Sequence, residues 1–296
     1  MRSSAWIVGL ALLSPGALRA TDGWTPLWNG KDFAGWNTWL GRPYRGVSAP
    51  GAARNENDPS VTAVGPDSDP LQVFSVAGVD GEPAIRISGR IFGGLITREE
   101  YGSYHLRLQF KWGVEKWPPR EATPRDSGLL YHMHSPMDFN RRTWPRAIEF
   151  QIQERDVGDL YAIGMQVTVA SRPLTGAPKP MRIYDPRGEP TLFLEKRPIG
   201  NRCVKGGDHE KPTGEWNTLD LVCLDDNSIH IVNGVVVMRL RHAQRLDRGE
   251  PAELASGNIL LQSEGAEVFF RNIRIRPITA VPAEYADPAG GGQDRP

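Results

Sequence analysis

The tightest constraint on this chain is the alternation over Ala147–Gln153, which reads AIEFQIQ. A strand points successive side chains to opposite faces. Ile148, Phe150 and Ile152 therefore share one face, and Glu149, Gln151 and Gln153 share the other. That is the pattern of a strand lying on a core by one face only. The polar face carries a carboxylate and two amides, with no Lys, Thr or Ser. A second strand is expected over 128–134, where Leu130, His132 and His134 fall in phase, and a polar loop containing Trp144 and Pro145 joins the two. As neighbours in one sheet, these side chains would converge into a polar floor.

Short strand signals fill the rest of the chain, at 71–76, 84–87, 94–97, 103–112, 159–169, 216–224, 228–232, 235–240, 258–263 and 268–275. Asp80-Gly81 and Asn233-Gly234 mark tight turns, the second a strong hairpin signal because a type I′ turn needs positive φ at both central positions. No amphipathic helix of useful length is present. The 32 Gly and 25 Pro suit a turn-rich β protein. The pattern predicts an all-β sandwich of two antiparallel sheets in one domain over 21–277. Long loops are expected at 41–69 and 171–211, and a flexible tail at 278–296.

The first 20 residues read as a secretory leader: Arg2, an apolar run over 5–13, then Pro15, Gly16 and a cleavage site after Ala20. The run is too short to span a bilayer. The protein is thus expected to be secreted or periplasmic, without a transmembrane segment. In an oxidising compartment Cys203 and Cys223 are expected to pair, the alternative being two buried thiols. With 35 basic and 35 acidic residues, net charge gives no reason to expect a nucleic-acid partner. P-loop, CxxC and HExxH signatures are absent from the sequence.

Several motifs in order resemble the 3-keto-disaccharide hydrolase domain family. They are Leu27-Trp28-Asn29-Gly30-Lys31-Asp32 with Gly35-Trp36, then Gly93-Gly94-Leu95-Ile96-Thr97 followed by Tyr101, Asp126-Ser127-Gly128-Leu129-Leu130, and Ile148-Glu149-Phe150-Gln151-Ile152. Gly214-Glu215-Trp216-Asn217, Val232-Asn233-Gly234, Ile259-Leu260-Leu261-Gln262 and Phe270-Arg271-Asn272-Ile273-Arg274-Ile275 continue the series. The resemblance implies a concanavalin A-like jelly-roll sandwich acting on or binding carbohydrate. Two positions depart from the family pattern: His132 stands where an arginine is frequent, and Glu264 where a histidine is frequent.

Ordinary glycoside hydrolysis needs two carboxylates flanking the scissile bond. Glu149 is one candidate, and Glu264, in phase with Gln262, is the second. A 3-keto-sugar opens another route, since the ketone acidifies the C2 proton and a single base can start elimination. Glu149, His132 and Glu264 are the catalytic candidates. Gln151, Gln153, Gln262, His134 and Trp144 are the sugar-binding candidates. His132, His134 and Glu149 also have donor chemistry suited to a divalent ion. His105, His209, His230 and His242 are read as structural, and Trp117 as a second loop aromatic able to stack on a sugar ring.

Overall fold

A computed structural model describes residues 23–44, 46–48, 50, 63–134, 144–247 and 249–287. The leader at 1–20 lies outside the described residues. So do most of the 41–69 loop's centre and the 135–143 segment between the two strands singled out above.

The chain forms two antiparallel sheets, as the alternation requires. The smaller has eight strands. From one edge they are Arg202–Cys203, Leu160–Ile163, Ala147–Gln153, Asp126–Met133, Asn258–Ser263, Gly93–Thr97, Trp36–Leu40 and Gly65–Pro66. The larger sheet has twelve strands, with Asn217–Leu224, Tyr104–Lys116 and Ala266–Pro277 at its centre. The in-phase apolar residues of both sheets meet between them: Phe150, Ile152 and Leu261 from the smaller, Leu108, Phe110 and Leu221 from the larger. Each buried aliphatic or aromatic side chain contributes roughly 1.5–3 kcal/mol. The all-β jelly-roll sandwich expected from the sequence is the architecture observed. The Asn233-Gly234 hairpin has φ of 50° and 84°, the signs a type I′ turn demands.

Three expectations are corrected. The 171–211 region is not loop throughout: the end of Met165–Pro173 and the strands Arg182–Tyr184, Glu189–Leu194 and Arg202–Cys203 extend both sheets. The segment after Pro277 is docked as far as Tyr285. A 3-10 turn at Ala283–Tyr285 buries that ring against Val222, Ile229 and Ile231, and Arg239 Nη2 donates to the Tyr285 carbonyl at 2.6 Å. Finally, Cys203 and Cys223 are separate, free, buried thiols. Cys203 sits opposite Leu160 at the edge of the smaller sheet, whereas Cys223 pairs with Tyr104 and Ser228 in the middle of the larger. Each fills the core as a small apolar side chain.

Candidate functional site

The site is built on the outer face of the smaller sheet, where phase and register place the polar rows side by side. Asp126, Gly128 and Leu130 lie opposite Gln153, Gln151 and Glu149 respectively. On the other flank Leu130 pairs with Leu260 and Leu129 with Leu261, so the same register sets Gln262 beside Gly128 and Glu264 beside Asp126. Gly128 leaves the space that Glu149 uses: a Cβ there would stand 2.3 Å from Glu149 Oε1 and 3.1 Å from Gln262 Oε1. Tyr161, directly opposite Glu149 on the next strand, closes the row. Arg202 lies over its ring at 5.5 Å.

Three carboxyl groups thus gather on one face, and Arg120 reaches in from a loop to meet two of them. Its Nη2 bonds both Asp126 Oδ2 and Glu264 Oε1. Asp126 is 2 % exposed, Glu149 5 % and Glu264 9 %. Burial, then repulsion by Glu264, holds the Glu149 carboxyl far above the usual carboxylate range, with Gln262 and Arg120 opposing. Burial and Glu264 likewise push Asp126 up to about 9, Arg120 opposing. Gln151 Oε1 and Asp126 Oδ1 are buried without a hydrogen-bond partner among the described residues. Orphaned polar atoms of this kind are natural contacts for a ligand hydroxyl, which can both donate and accept.

Beyond Leu130 the face turns apolar. Ile96, Leu130, Met133, Ala147, Ile163 and Leu260 form a patch bordered by Trp39, Trp144 and Tyr161. Trp144 stacks on Phe92 with ring centroids 5.8 Å apart. Carboxyls and amides at one end and aromatic borders at the other suit a sugar, which offers hydroxyls at its rim and C–H groups on its faces.

Most of the sequence candidates meet here. Glu149, Gln151, Gln153, Gln262, Glu264 and Trp144 share this face. His132 does not. Between the pairs Leu130 with Leu260 and Met133 with Asn258, two residues oppose the single Ile259. This bulge, with His132 at φ 49°, turns both Tyr131 and His132 towards the core. The His132 ring packs edge-on against Tyr104 and Tyr131, and burial lowers its pKa to about 4. His134 is exposed at the strand end, with its Nε2 3.0 Å from Arg245 Nη1. His132, His134 and Glu149 therefore do not converge and do not hold a divalent ion. Among the described residues no three His, Cys, Asp or Glu side chains form such a group. Trp117 is occupied beneath Arg90, whose guanidinium lies 4.6 Å from its ring. His105 is buried on Asp220 at 2.6 Å and His230 on the Tyr131 hydroxyl at 3.0 Å, both structural as read.

Residues 23–276 match the sequence pattern of the 3-keto-alpha-glucoside-1,2-lyase-like domain. The chain belongs to this family. The match covers both sheets and every strand that carries the site. No curated protein matches the chain in sequence. Solved structures similar in shape include a Parabacteroides distasonis protein whose glycosyl hydrolase assignment is provisional. It has 19 % identity and a TM-score of 0.47, over 87 % of this chain and 94 % of that one. Others are the carbohydrate-binding module CBM66 of Bacillus subtilis (7 % identity, TM-score 0.36, 69 % and 91 % covered) and the Bacillus licheniformis β-glucanase (10 %, 0.38, 88 % and 100 %).

Asp126, Arg120 and Tyr161 are the members that sequence reasoning missed. Asp126 keeps phase with Leu130 and opens the Asp-Ser-Gly motif, so parity alone would have found it. Tyr161 required the strand pairing. Arg120 comes from the Trp117-Pro118-Pro119-Arg120 loop and carries no signal in its spacing.

Proposed function

We propose that this protein is an exported carbohydrate-active enzyme that cleaves the glycosidic bond of 3-keto-glycosides by elimination across C1 and C2. The leader-like residues 1–20 support export. The observation that carries the catalytic reading is Glu149, a buried carboxyl held protonated beside two carboxyls that share the Arg120 guanidinium. A carboxyl kept in its acid form beside a more accessible one can supply an acid and a base from one residue type. Glu264, the most accessible of the three, takes the role of base.

The steps balance without an oxidant or reductant. Glu264 accepts the proton from C2, and the C–H electron pair passes into an enolate on the C3 ketone. The enolate reforms the ketone, C1 and C2 become doubly bonded, and the C1–O bond breaks. The leaving oxygen takes the proton from Glu149. Products are an unsaturated keto-sugar and a free alcohol. Gln151 and Gln262 offer amides to the sugar hydroxyls, while Tyr161 and Trp144 border the ring.

The test is turnover of a panel of 3-keto-glycosides by wild type and Glu149→Gln, read as released alcohol. Loss of a positioned general acid should lower kcat by about 10²–10⁴-fold, with sugar binding retained. Wild-type turnover in Glu149→Gln would refute the role of Glu149. A wild type that binds these sugars and turns over none would instead mark the domain as a carbohydrate-binding module.

A further inference from the structure

A second groove lies on the opposite side of the sandwich, on the outer face of the larger sheet, with a volume of about 1130 Å³. Its floor is formed by Arg107, Gln109 and Thr218 with Asn272 and Arg274, and its walls by Trp28 and Pro83. Arg107 and Gln109 point outward because Leu106, Leu108 and Phe110 take the inward phase of their strand, and Thr218 and Arg274 do so because Leu219 and Leu221, and Ile273 and Ile275, take the inward phase of theirs.

Local structure aims the groove's polar groups. Arg271 pairs with Gln109 and Arg274 with Arg107, so three steps on one strand are matched by two on the other, and Asn272 takes φ 53°. Bulges of this kind re-aim side chains and are frequent at functional sites. Gln109 Oε1 accepts from both Arg271 Nε and Asn272 Nδ2, each at 3.0 Å, which fixes the floor.

Arginines dominate the charge around the groove, with Glu82 the carboxylate in its lining. The guanidiniums of Arg107, Arg274 and Arg276 surround one indole, that of Trp24, at 5.6, 4.8 and 4.8 Å. Arg107 is tied to the buried Asp220 through Nε at 2.6 Å, and Arg271 meets Glu82 at 3.2 Å. Arg274 has no carboxylate partner among the described residues. Its guanidinium lies 4.8 Å from the centroid of the Trp24 ring, and this packing limits the rotamer freedom it has to lose when it binds a planar anion.

We propose that this groove binds an acidic oligosaccharide, one bearing carboxylate or sulfate groups. Arg274, helped by Arg107, takes the anion. Asn272 and Thr218 meet the sugar hydroxyls, and Pro83 with the exposed edge of Trp28 borders the ring. Small-molecule sites run to about 300–1,000 Å³, so the volume suits several sugar units better than one. The site is independent of the carboxyl cluster, which lies on the other sheet.

The test uses the full exported chain and calorimetric titration with trigalacturonate, a sulfated galactan tetrasaccharide and neutral maltotriose. At least one acidic sugar should bind more tightly than maltotriose. That binding should weaken about tenfold in Arg274→Gln, and it should also weaken between about 0.05 and 0.5 M salt. Which acidic sugar responds tells carboxylate from sulfate recognition. Hydrogen exchange on the wild type provides a readout free of any folding defect, with protection expected over 271–275. Acidic sugars that bind no better than maltotriose, binding unchanged in Arg274→Gln, or protection confined to Ala147–Gln153 and Asn258–Ser263 would overturn the proposal.

Discussion

Gly128→Ala tests whether the position of Glu149, and not merely its presence, sets the activity. An added Cβ would stand 2.3 Å from Glu149 Oε1, where ordinary contact begins at 3.4 Å. The carboxyl must therefore retreat by about 1 Å, and a shift of that size at a reacting group costs on the order of 10²-fold in rate, or about 2.7 kcal/mol of barrier. Folding should hardly notice. Gly128 does not occupy the left-handed region, and two of the three close atoms, Glu149 Oε1 and Gln262 Oε1, are ends of flexible side chains. Leu130 Cδ1, at 3.1 Å, must give by a few tenths of an ångström. Against that, alanine removes unfolded-state freedom worth about 0.4–1 kcal/mol. The assay is kcat/KM on a 3-keto-glycoside beside thermal unfolding of the same sample. In a Glu149→Gln background, Gly128→Ala should add little further loss, because residues acting as one unit are not additive. Full activity in a well-folded Gly128→Ala protein would refute the reasoning, and so would a rate loss that the Glu149→Gln background leaves undiminished.

Stability should also depend on pH in a way that names its groups. Glu149 and Asp126, the latter at about 9, hold their protons in the folded state but not in the unfolded one. The fold must therefore lose stability as pH rises from about 4 towards 9, Asp126 contributing up to about 1.4 kcal/mol per pH unit and Glu149 adding in the same direction. His132 at about 4 and His230 at about 3 are buried neutral, so they remove stability as pH falls below about 6.5. The two effects oppose each other between about pH 4 and 6.5, which leaves a decline from 6.5 to 9. Urea titrations across that range should show the decline, and Asp126→Asn should flatten it; an equal slope in the variant rules out this assignment. The cysteines offer a simpler check. Burial pushes both thiols up in pKa, so iodoacetamide should leave the native protein unmodified and label both Cys203 and Cys223 once it is denatured without reductant. No labelling under those conditions would mean a disulfide.

The sandwich was legible because alternation reports burial directly. Ile148, Phe150 and Ile152 had to face a core, and that placed Glu149, Gln151 and Gln153 outside it. The same parity brought Gln262 and Glu264 to the site without any knowledge of the pairing. Parity failed at Tyr131-His132, where no Gly or Asn announced the bulge and only the pairing with Ile259 reveals it. Arg120 was beyond reach for another reason: a loop residue has no phase, and its two carboxyl partners are neighbours only after the sheet forms. The cysteines show the limit of compartment arguments. An oxidising environment permits a bridge, but Cys203 and Cys223 belong to different sheets and different neighbours.

The two-against-one step at Tyr131-His132 also alters how this chain should be compared with its relatives. Shortening the strand by one residue at that step would leave Leu130 and all before it, and Met133 and all after it, on the faces they hold now. Shortening it between Asp126 and Leu130 would turn the carboxyl of Asp126 inward. The strand is thus tolerant of length at one place and intolerant a few residues earlier. An ungapped alignment sets His132 against the arginine frequent in the family. In space, however, the next outward position after Leu130 is held by Met133. What reads in the sequence as an exchange of arginine for histidine is, on the sheet surface, an apolar side chain, and counterparts should be assigned here by facing direction instead of by residue count.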